Sequence, residues 1–243
     1  PPRVLELLTS GRVVEYSLTL VEGWTFRQAL AALDGHEVFA GSSKLSELSD
    51  AEIMAQLGRP DAHPEGLFFP DTYRFPRRTG ALDILKRSLA RMDQILAEEW
   101  EKRAPNLPIS TPYEALIMAS IIEKETGLAS ERGRISGVFT RRLQRGMRLQ
   151  TDPTVIYGMG ERYDGNIRRA DLREATPYNT YVINGLPPTP IALVGREAIR
   201  AALNPEAGEE LYFVAKGDGS HVFSRTLDEH NQAVRRYILN RND

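Results

Sequence analysis

The sequence predicts an α+β fold, with a small mixed N-terminal α/β unit followed by a helix-rich part that contains short antiparallel strands. Apolar residues recur at helical spacing in the middle of the chain, alternate as in a strand over residues 13–21, and form two short runs around a glycine-containing loop near the C-terminus. The chain has 243 residues, of which 41% are hydrophobic, enough to bury a substantial core in one large domain or two small ones.

In the N-terminal unit, the strand over residues 13–21 is followed by two predicted short helices. The first covers residues 25–33 and the second residues 49–57, before a break rich in glycine and proline. The aromatic run within residues 64–73 fits a strand that borders a cleft. Packing of Phe68 and Phe69 in the core is the alternative interpretation.

The rest of the chain is predicted to be mainly helical. Ser130 is expected to cap one of these helices, and Gly146 is expected to end it. Near the C-terminus, two strands joined by a glycine-containing loop predict a hairpin. The predicted helices cover residues 81–103, 111–127, 130–146, 196–203 and 227–239, and the two strands cover residues 211–215 and 221–224.

The segment from Thr111 to Gly127 carries the signals of a helix that is packed on several sides. Thr111 is a typical N-cap, Pro112 suits the first helical position, and Glu114 completes a capping box. Gly127 is the natural stop. Residues 115–122 are apolar over most of the circumference, so we expect a core helix.

Glu125, in the last turn of this helix, is the leading candidate for an acid catalyst. It follows Met118, Ile121 and Ile122 at helical spacing, which directs its side chain inward along the apolar stripe. Apolar neighbours and the negative end of the helix both disfavour the ionised carboxylate and raise its pKa. A carboxyl group that keeps its proton near neutral pH can serve as a general acid.

Two other interpretations of this helix end remain open. Glu123 aligns with Leu116, Ala119 and Ser120, a smaller and more polar face, and therefore ranks second as an acid. Alternatively, residues 123–125 form a solvated helix end with local ion pairs.

The composition argues against several classes of function. The 31 basic and 33 acidic residues give a formal charge of -2, so no global field favours nucleic acid. Zero cysteines exclude disulfides, thiolate zinc sites and a cysteine nucleophile. No zinc-protease, serine-hydrolase, Walker or dinucleotide motif occurs, and we expect neither a metal nor a cofactor. His221 and His230 are placed either to border a cleft or to make structural hydrogen bonds.

The sequence also bears on membrane attachment. The longest mostly apolar stretch, residues 115–122, is far below the roughly 18 to 20 residues that span a bilayer. The chain begins with Pro1 and Pro2 instead of methionine, so we expect a fragment whose targeting segment has been removed.

A basic face is predicted on the helix over residues 130–146. Arginines lie on one stripe, opposite the apolar stripe, and no acidic residue occurs between Arg132 and Leu149. Such a face is either simply solvated or meets an anionic polymer, peptide carboxylates or lipid headgroups. Its members are Arg134, Arg141, Arg145 and Arg148.

Two polar segments are candidates for ligand binding. In the first, Asp152 can cap a helix that starts at Pro153, which leaves the two preceding side chains exposed for hydrogen bonding. The second offers an aromatic face with amide and hydroxyl groups, which suits a sugar ring, although a loop packed on the core is equally plausible. The candidates are Gln150, Thr151 and Asp152 in the first segment and Tyr178, Asn179 and Thr180 in the second.

Several blocks of residues, in one order along nearly the whole chain, resemble the YceG-like family, the endolytic murein transglycosylases (MltG). The blocks are Val21-Glu22-Gly23, Glu65-Gly66 with Pro70-Asp71-Thr72, residues 119–126 (ASIIEKET), residues 147–160 (MRLQTDPTVIYGMG), Tyr178-Asn179-Thr180-Tyr181 with Gly185-Leu186-Pro187-Pro188, and residues 211–215 (LYFVA) followed by His221.

The resemblance implies a lyase that cleaves the β-1,4 bond between N-acetylmuramic acid and N-acetylglucosamine in peptidoglycan strands and leaves 1,6-anhydromuramic ends. The family's catalytic glutamate falls on Glu125 in the E-K-E-T block. The six polar candidates named above would then position the sugars, and Asp152 would stabilise positive charge. Residues 1–62 would be a remnant of a LysM-like N-terminal subdomain, and residues 63–243 the catalytic domain.

By the same resemblance, the intact protein would be held in the inner membrane by a single N-terminal span, absent from this chain, with its catalytic domain in the periplasm. Its partners would be glycan strands, including nascent ones, and peptidoglycan synthases of the elongation and division machinery, and not nucleic acid.

Two competing functions are kept beside this one. A lysozyme-type hydrolase would use Glu125 as the acid with Asp152 or Glu123 as its partner, because ordinary glycoside hydrolysis needs a second carboxylate. A non-catalytic glycan-binding or division-scaffold module would instead depend on the arginine stripe and the aromatic residues.

Overall fold

In a computed structural model, the described part of the chain, residues 14–239, folds into eight α-helices and two short antiparallel sheets. This confirms the predicted α+β class. Residue 13, where the first predicted strand was expected to begin, lies outside the described residues.

The first sheet joins two segments that are distant in the sequence. Strand β1 (Glu15–Thr19) pairs antiparallel with β2 (Thr72–Pro76), placing Tyr16 opposite Phe75 and Leu18 opposite Tyr73. Leu18, Tyr73 and Phe75 are buried and alternate with exposed neighbours, as expected for a sheet with one face on a core. The sheet therefore joins a strand from the predicted N-terminal unit, residues 1–62, to one from the predicted catalytic domain, residues 63–243. That domain boundary stays a prediction.

Two capped helices complete the N-terminal unit. Helix α1 (Phe26–Asp34) begins after Thr25 and helix α2 (Asp50–Gln56) begins after Ser49, and both N-caps form capping boxes. Phe68 is fully buried and stacks on Phe26 with ring centroids 5.0 Å apart. The predicted cleft strand over residues 64–73 is therefore wrong, because β2 begins only at Thr72 and the aromatic run fills the core.

The central helix of the fold is α4 (Pro112–Glu125). It is contacted by α3 (Ala81–Glu101), α5 (Arg132–Gln144), α6 (Asp152–Met159) and α7 (Arg196–Leu203). Every residue from Ala115 to Ile122 is buried, so the predicted core helix is confirmed.

Two helix ends differ from the prediction by one or two residues. Helix α4 stops at Glu125 with Thr126, not Gly127, as its C-cap, because Thr126 already takes an extended backbone. Helix α5 follows a 3-10 turn over Ala129–Glu131 and begins at Arg132, so Ser130 is not its cap. Gly146, at φ +65°, takes the left-handed conformation just beyond the C-cap Arg145.

The C-terminal part contains the predicted hairpin. Strand β3 (Tyr212–Ala215) pairs antiparallel with β4 (His221–Ser224), and helix α8 (Leu227–Tyr237) packs against both. Between residues 14 and 239, no helix has both the length and the apolar character required to cross a membrane.

Candidate active site

Glu125 is the last residue of α4, and its side chain is only partly exposed. The Thr151 hydroxyl donates a hydrogen bond to Glu125 Oε1. Burial raises the pKa of Glu125 to about 7, the Thr151 hydrogen bond opposes this rise, and the nearby Asp152 carboxylate adds to it. Among residues 14–239, no arginine, lysine or histidine forms an ion pair with Glu125. The predicted rise of the Glu125 pKa is therefore confirmed.

The two segments predicted to bind a ligand are joined directly beside Glu125. Gln150 takes a left-handed backbone at φ +52°, and its N–H donates to Thr180 O at 3.1 Å. The Thr151 N–H donates to Thr180 Oγ1 at 3.0 Å, and the Thr154 and Thr180 hydroxyls lie 2.8 Å apart. These bonds fix the backbone of Thr151, which in turn fixes the hydroxyl that contacts Glu125.

Arg142 anchors the same loop, and it was not identified from the sequence as part of the site. Its Nη1 donates to Arg148 O at 3.0 Å, to Leu149 O at 2.9 Å and to Gln150 Oε1 at 3.3 Å, while its Nε donates to Leu211 O at 2.6 Å. The signal that could have revealed it is its position four residues after Val138 and seven after Ile135, on the buried stripe of α5.

Asp152 lies next to Glu125 but does not cap a helix, so that prediction is corrected. Helix α6 begins one residue earlier than expected, at Asp152, with Thr151 as N-cap and no side-chain capping bond. The Asp152 Oδ1 instead accepts a 2.6 Å hydrogen bond from the Tyr181 hydroxyl. The pKa of Tyr181 is raised by burial, by this bond, and by the charges of Asp152 and Glu125.

Asn179 and Thr180 are buried supports of the loop. The Asn179 amide donates to Asp171 O at 3.0 Å and to Glu174 O at 2.7 Å, and its Oδ1 accepts from Tyr181 N at 3.0 Å. The Asn179 amide therefore has its two donors and its acceptor engaged within the protein. Of the six residues predicted to bind a ligand, only Gln150 and Asp152 have exposed side chains.

Tyr178 connects this region to a second buried carboxyl group that the sequence motifs did not assign. The Tyr178 ring meets Tyr157 edge-on at 4.9 Å, and its hydroxyl lies 2.8 Å from Thr189 Oγ1. Tyr157 donates to Glu65 Oε2 at 3.1 Å, and the Phe26 N–H donates to Glu65 Oε1 at 2.9 Å. Burial raises the pKa of Glu65 to about 7, against the opposing effect of these bonds.

Glu123 points away from Glu125 and holds the packing of α7. Its Oε2 accepts from Gly195 N at 3.1 Å, at the start of α7, and its Oε1 lies 3.6 Å from Arg132 Nη2. Burial, the largest influence, raises the pKa of Glu123. Only Lys124 of this turn is exposed, donating to Gly23 O at 3.1 Å, so the solvated helix end is a wrong interpretation.

Three of the four arginines of the predicted basic face bind other parts of the protein, and the fourth, Arg145, is exposed. Arg134 pairs with Glu210 at 3.1 Å, and Arg141 donates to Glu210 O at 2.7 Å. Arg148 donates to Tyr181 O at 3.1 Å. Arg134 and Arg141 lie on α5 as the spacing predicted and are bound by the segment before β3, whereas Arg145 and Arg148 follow the last residue of the helix.

His221 makes a structural hydrogen bond, which was one of its two interpretations. Its Nδ1 lies 2.7 Å from Glu131 Oε2. Within residues 14–239, no group of three or more histidine, aspartate and glutamate side chains is arranged to hold a metal ion. A cavity of about 480 Å³ lies between the start of α4 and the 185–188 turn, and Glu125 is not among its lining residues.

The comparison with protein families covers nearly the whole chain. The sequence model of the YceG-like family matches residues 1–236, which include Glu125 and both polar segments. The chain belongs to the YceG-like family.

Named relatives of this YceG-like chain agree with that assignment. An endolytic murein transglycosylase of Bacillus subtilis is 34% identical over 255 residues, covering 99% of this chain and 70% of the relative. One from Streptococcus pneumoniae is 32% identical and covers 91% of this chain, which spans only 44% of that relative. The crystal structure of a YceG-like protein from Listeria monocytogenes superposes with a TM-score of 0.77 at 32% identity, covering 96% of this chain and 80% of the other.

Proposed function

We propose that this YceG-like chain is an endolytic murein transglycosylase that cleaves the β-1,4 bond between N-acetylmuramic acid and N-acetylglucosamine within peptidoglycan strands. The observation that carries the proposal is Glu125, a carboxyl group with a pKa of about 7 and no basic partner among the described residues. The names of the Bacillus and Streptococcus relatives supply the substrate class.

Glu125 performs both proton transfers in the proposed reaction. The protonated carboxyl gives its proton to the glycosidic oxygen, and the bond from C1 of the muramic sugar to that oxygen breaks. The resulting carboxylate then takes the proton of the C6 hydroxyl as that oxygen bonds to C1, closing the 1,6-anhydro ring. A pKa near 7 suits both roles, because acid and base forms coexist at neutral pH.

No second carboxylate is required to activate water, since the nucleophile belongs to the sugar itself and its attack is intramolecular. The positions of the two nearest candidate carboxylates, Glu123 and Asp152, are compatible with a mechanism that uses Glu125 alone. Glu123 is engaged by Arg132 and Gly195, while Asp152 is exposed near Glu125 and bears negative charge beside the developing positive charge at C1.

Substrate positioning is proposed for the accessible groups of the two polar segments. The exposed side chains of Gln150 and Asp152 and the partly buried ring of Tyr178 contact the sugars. The buried residues of these segments do not contact the sugars: Asn179 and Thr180 fix the loop, and the Thr151 hydroxyl orients Glu125. No cofactor takes part.

The cellular setting is proposed from the family resemblance. The whole protein is anchored in the inner membrane by a single span with its catalytic domain in the periplasm, and it works with peptidoglycan synthases to terminate growing strands. Residues 1–62 belong to a LysM-like glycan-binding subdomain and residues 63–243 to the catalytic domain.

Mass spectrometry of digested glycan strands tests the function. Wild-type protein is expected to create internal cleavages that end in 1,6-anhydromuramic acid, and Glu125→Gln is expected to create none. Glu101→Gln, at an exposed position at the end of α3, is the matched control and keeps full activity. Reducing muramic ends from the wild type would identify a hydrolase, and full cleavage by Glu125→Gln would remove Glu125 from the mechanism.

A further inference from the structure

Tyr181 is fixed beside Glu125 by contacts on three sides. Its N–H donates to Asn179 Oδ1 at 3.0 Å, its carbonyl accepts from Arg148 Nη1 at 3.1 Å, and its hydroxyl donates to Asp152 Oδ1 at 2.6 Å. The backbone is thus fixed by two bonds, and the hydroxyl of the partly buried ring bonds one oxygen of an otherwise exposed carboxylate.

We propose that Tyr181 is a positioning residue that holds Asp152 as a fixed anion and thereby selects capture of the cleaved sugar by its own C6 hydroxyl over capture by water. This inference rests on the proposed function and adds a determinant of the product.

The first element of the proposal is electrostatic. A hydrogen bond from a phenol to a carboxylate stabilises the charged form and reduces its basicity. Asp152 also lies in the first turn of α6, where the positive end of the helix favours an anion. The bond from Tyr181 therefore holds the Asp152 carboxylate in one orientation near the positive C1.

The second element concerns the competing reactions. In both, Glu125 gives its proton to the leaving oxygen, which keeps the electron pair of the broken C1–O bond. In the anhydro pathway, the C6 oxygen bonds to C1 and its proton returns to Glu125. In hydrolysis, a water oxygen bonds to C1 and its proton goes to a carboxylate, leaving a reducing muramic end.

Loss of the Tyr181 hydroxyl changes this competition. The exposed Asp152 carboxylate is then free to rotate, so that either of its oxygens can turn toward C1 and accept a proton from the attacking water. The enzyme acquires the arrangement of acid and base carboxylates that glycoside hydrolases use. The variant should therefore cleave more slowly and give a mixture of anhydro and reducing ends.

Tyr181→Phe tests the inference with the ring retained. We expect kcat to fall about ten- to hundredfold, the range of a lost hydrogen bond to a charged group, with a smaller change in KM. We also expect reducing muramic ends to appear beside anhydro ends in the mass spectrum. Tyr16→Phe, on β1, is the matched control and should leave rate and product ratio unchanged.

The decisive comparison is a double-mutant cycle with Asp152→Asn. If Tyr181 acts through Asp152, Tyr181→Phe has little further effect on kcat in the Asp152→Asn background, and the reducing ends disappear because no carboxylate remains there to accept a proton. Two results would overturn the inference: additive losses of kcat in the double mutant, or a product ratio that Tyr181→Phe leaves unchanged. If the wild type still makes anhydro ends, either result leaves the proposed function intact. A wild type that makes no anhydro ends would refute the function itself.

Discussion

Replacing Glu125 by glutamine should remove activity and, at alkaline pH, stabilise the fold. The folded protein keeps the proton of Glu125 up to a pKa of about 7, whereas the unfolded chain releases it near 4.5. As the pH rises through this window, the folded state binds the extra proton, so the free energy of unfolding of the wild type falls. Glutamine carries no titratable proton, so the free energy of unfolding of the Glu125→Gln variant does not show this fall with pH.

The size of the effect follows from the two pKa values. A shift from 4.5 to about 7 corresponds to up to about 3 kcal/mol, fully lost by the wild type above the folded pKa. Other buried carboxyl groups, such as Glu65, titrate in both proteins and cancel in the difference. The stability of Glu125→Gln relative to wild type should therefore rise by up to about 3 kcal/mol between pH 4.5 and pH 8.

Urea unfolding of both proteins at several pH values measures this difference, and the exposed Glu101→Gln supplies the baseline. A stability difference that does not change with pH would show that Glu125 ionises as easily in the folded protein as in the unfolded chain. It would then have no reason to hold a proton for the sugar, and the physical basis of its proposed role would be refuted.

Three further results are expected. Thr151→Val removes the hydrogen bond that lowers the pKa of Glu125, so the fall of kcat/KM on the alkaline side should move upward by about one to two pH units. Glu65→Ala leaves two buried donors, the N–H of Phe26 and the hydroxyl of Tyr157, without their acceptor, and urea unfolding should show a loss of about 2 to 5 kcal/mol. Gly66→Ala combines a left-handed φ of +77° with a Cβ 2.4 Å from Pro190 Cβ, and should lose more than about 2 kcal/mol in the same assay.

Matched variants make these results interpretable. Thr72→Val removes a hydroxyl that is hydrogen-bonded to the neutral Thr19 hydroxyl, and it should leave the pH profile unchanged. Gly58→Ala shares a positive φ of +80° but has open space around the new Cβ, so it should lose less than Gly66→Ala. Equal losses at both glycines would contradict the steric contribution from Pro190.

Local sequence signals predicted the helices well and their ends less well. The capping box at Thr111 predicted the start of α4, since a cap depends on residues only three positions apart. Thr25 and Ser49, where the first two helices were predicted to begin, form capping boxes in the structure as well. The end of α4 at Glu125 was placed two residues too late, because Thr126 is already extended in the fold although the sequence carries no breaker there.

The environment of charged side chains was harder to predict. Helical spacing placed Arg134 and Arg141 of α5 on one face, but it could not show that Glu210, 76 residues after Arg134, binds both of them. The same limitation hid Arg142, whose carbonyl partners include Leu211 O, 69 residues away. Periodicity shows which side chains share a face and says nothing about what packs on it.

The sequence by itself determined that Glu125 lies in the last turn of a buried, capped helix along an apolar stripe, because helix geometry and capping act over a few neighbouring residues. Only the tertiary structure decided that Thr151, 26 residues away, holds this carboxyl group, and that Tyr181, 29 residues beyond Asp152, holds its neighbour. Such contacts depend on how separate elements pack, and no short-range pattern of residues encodes that arrangement.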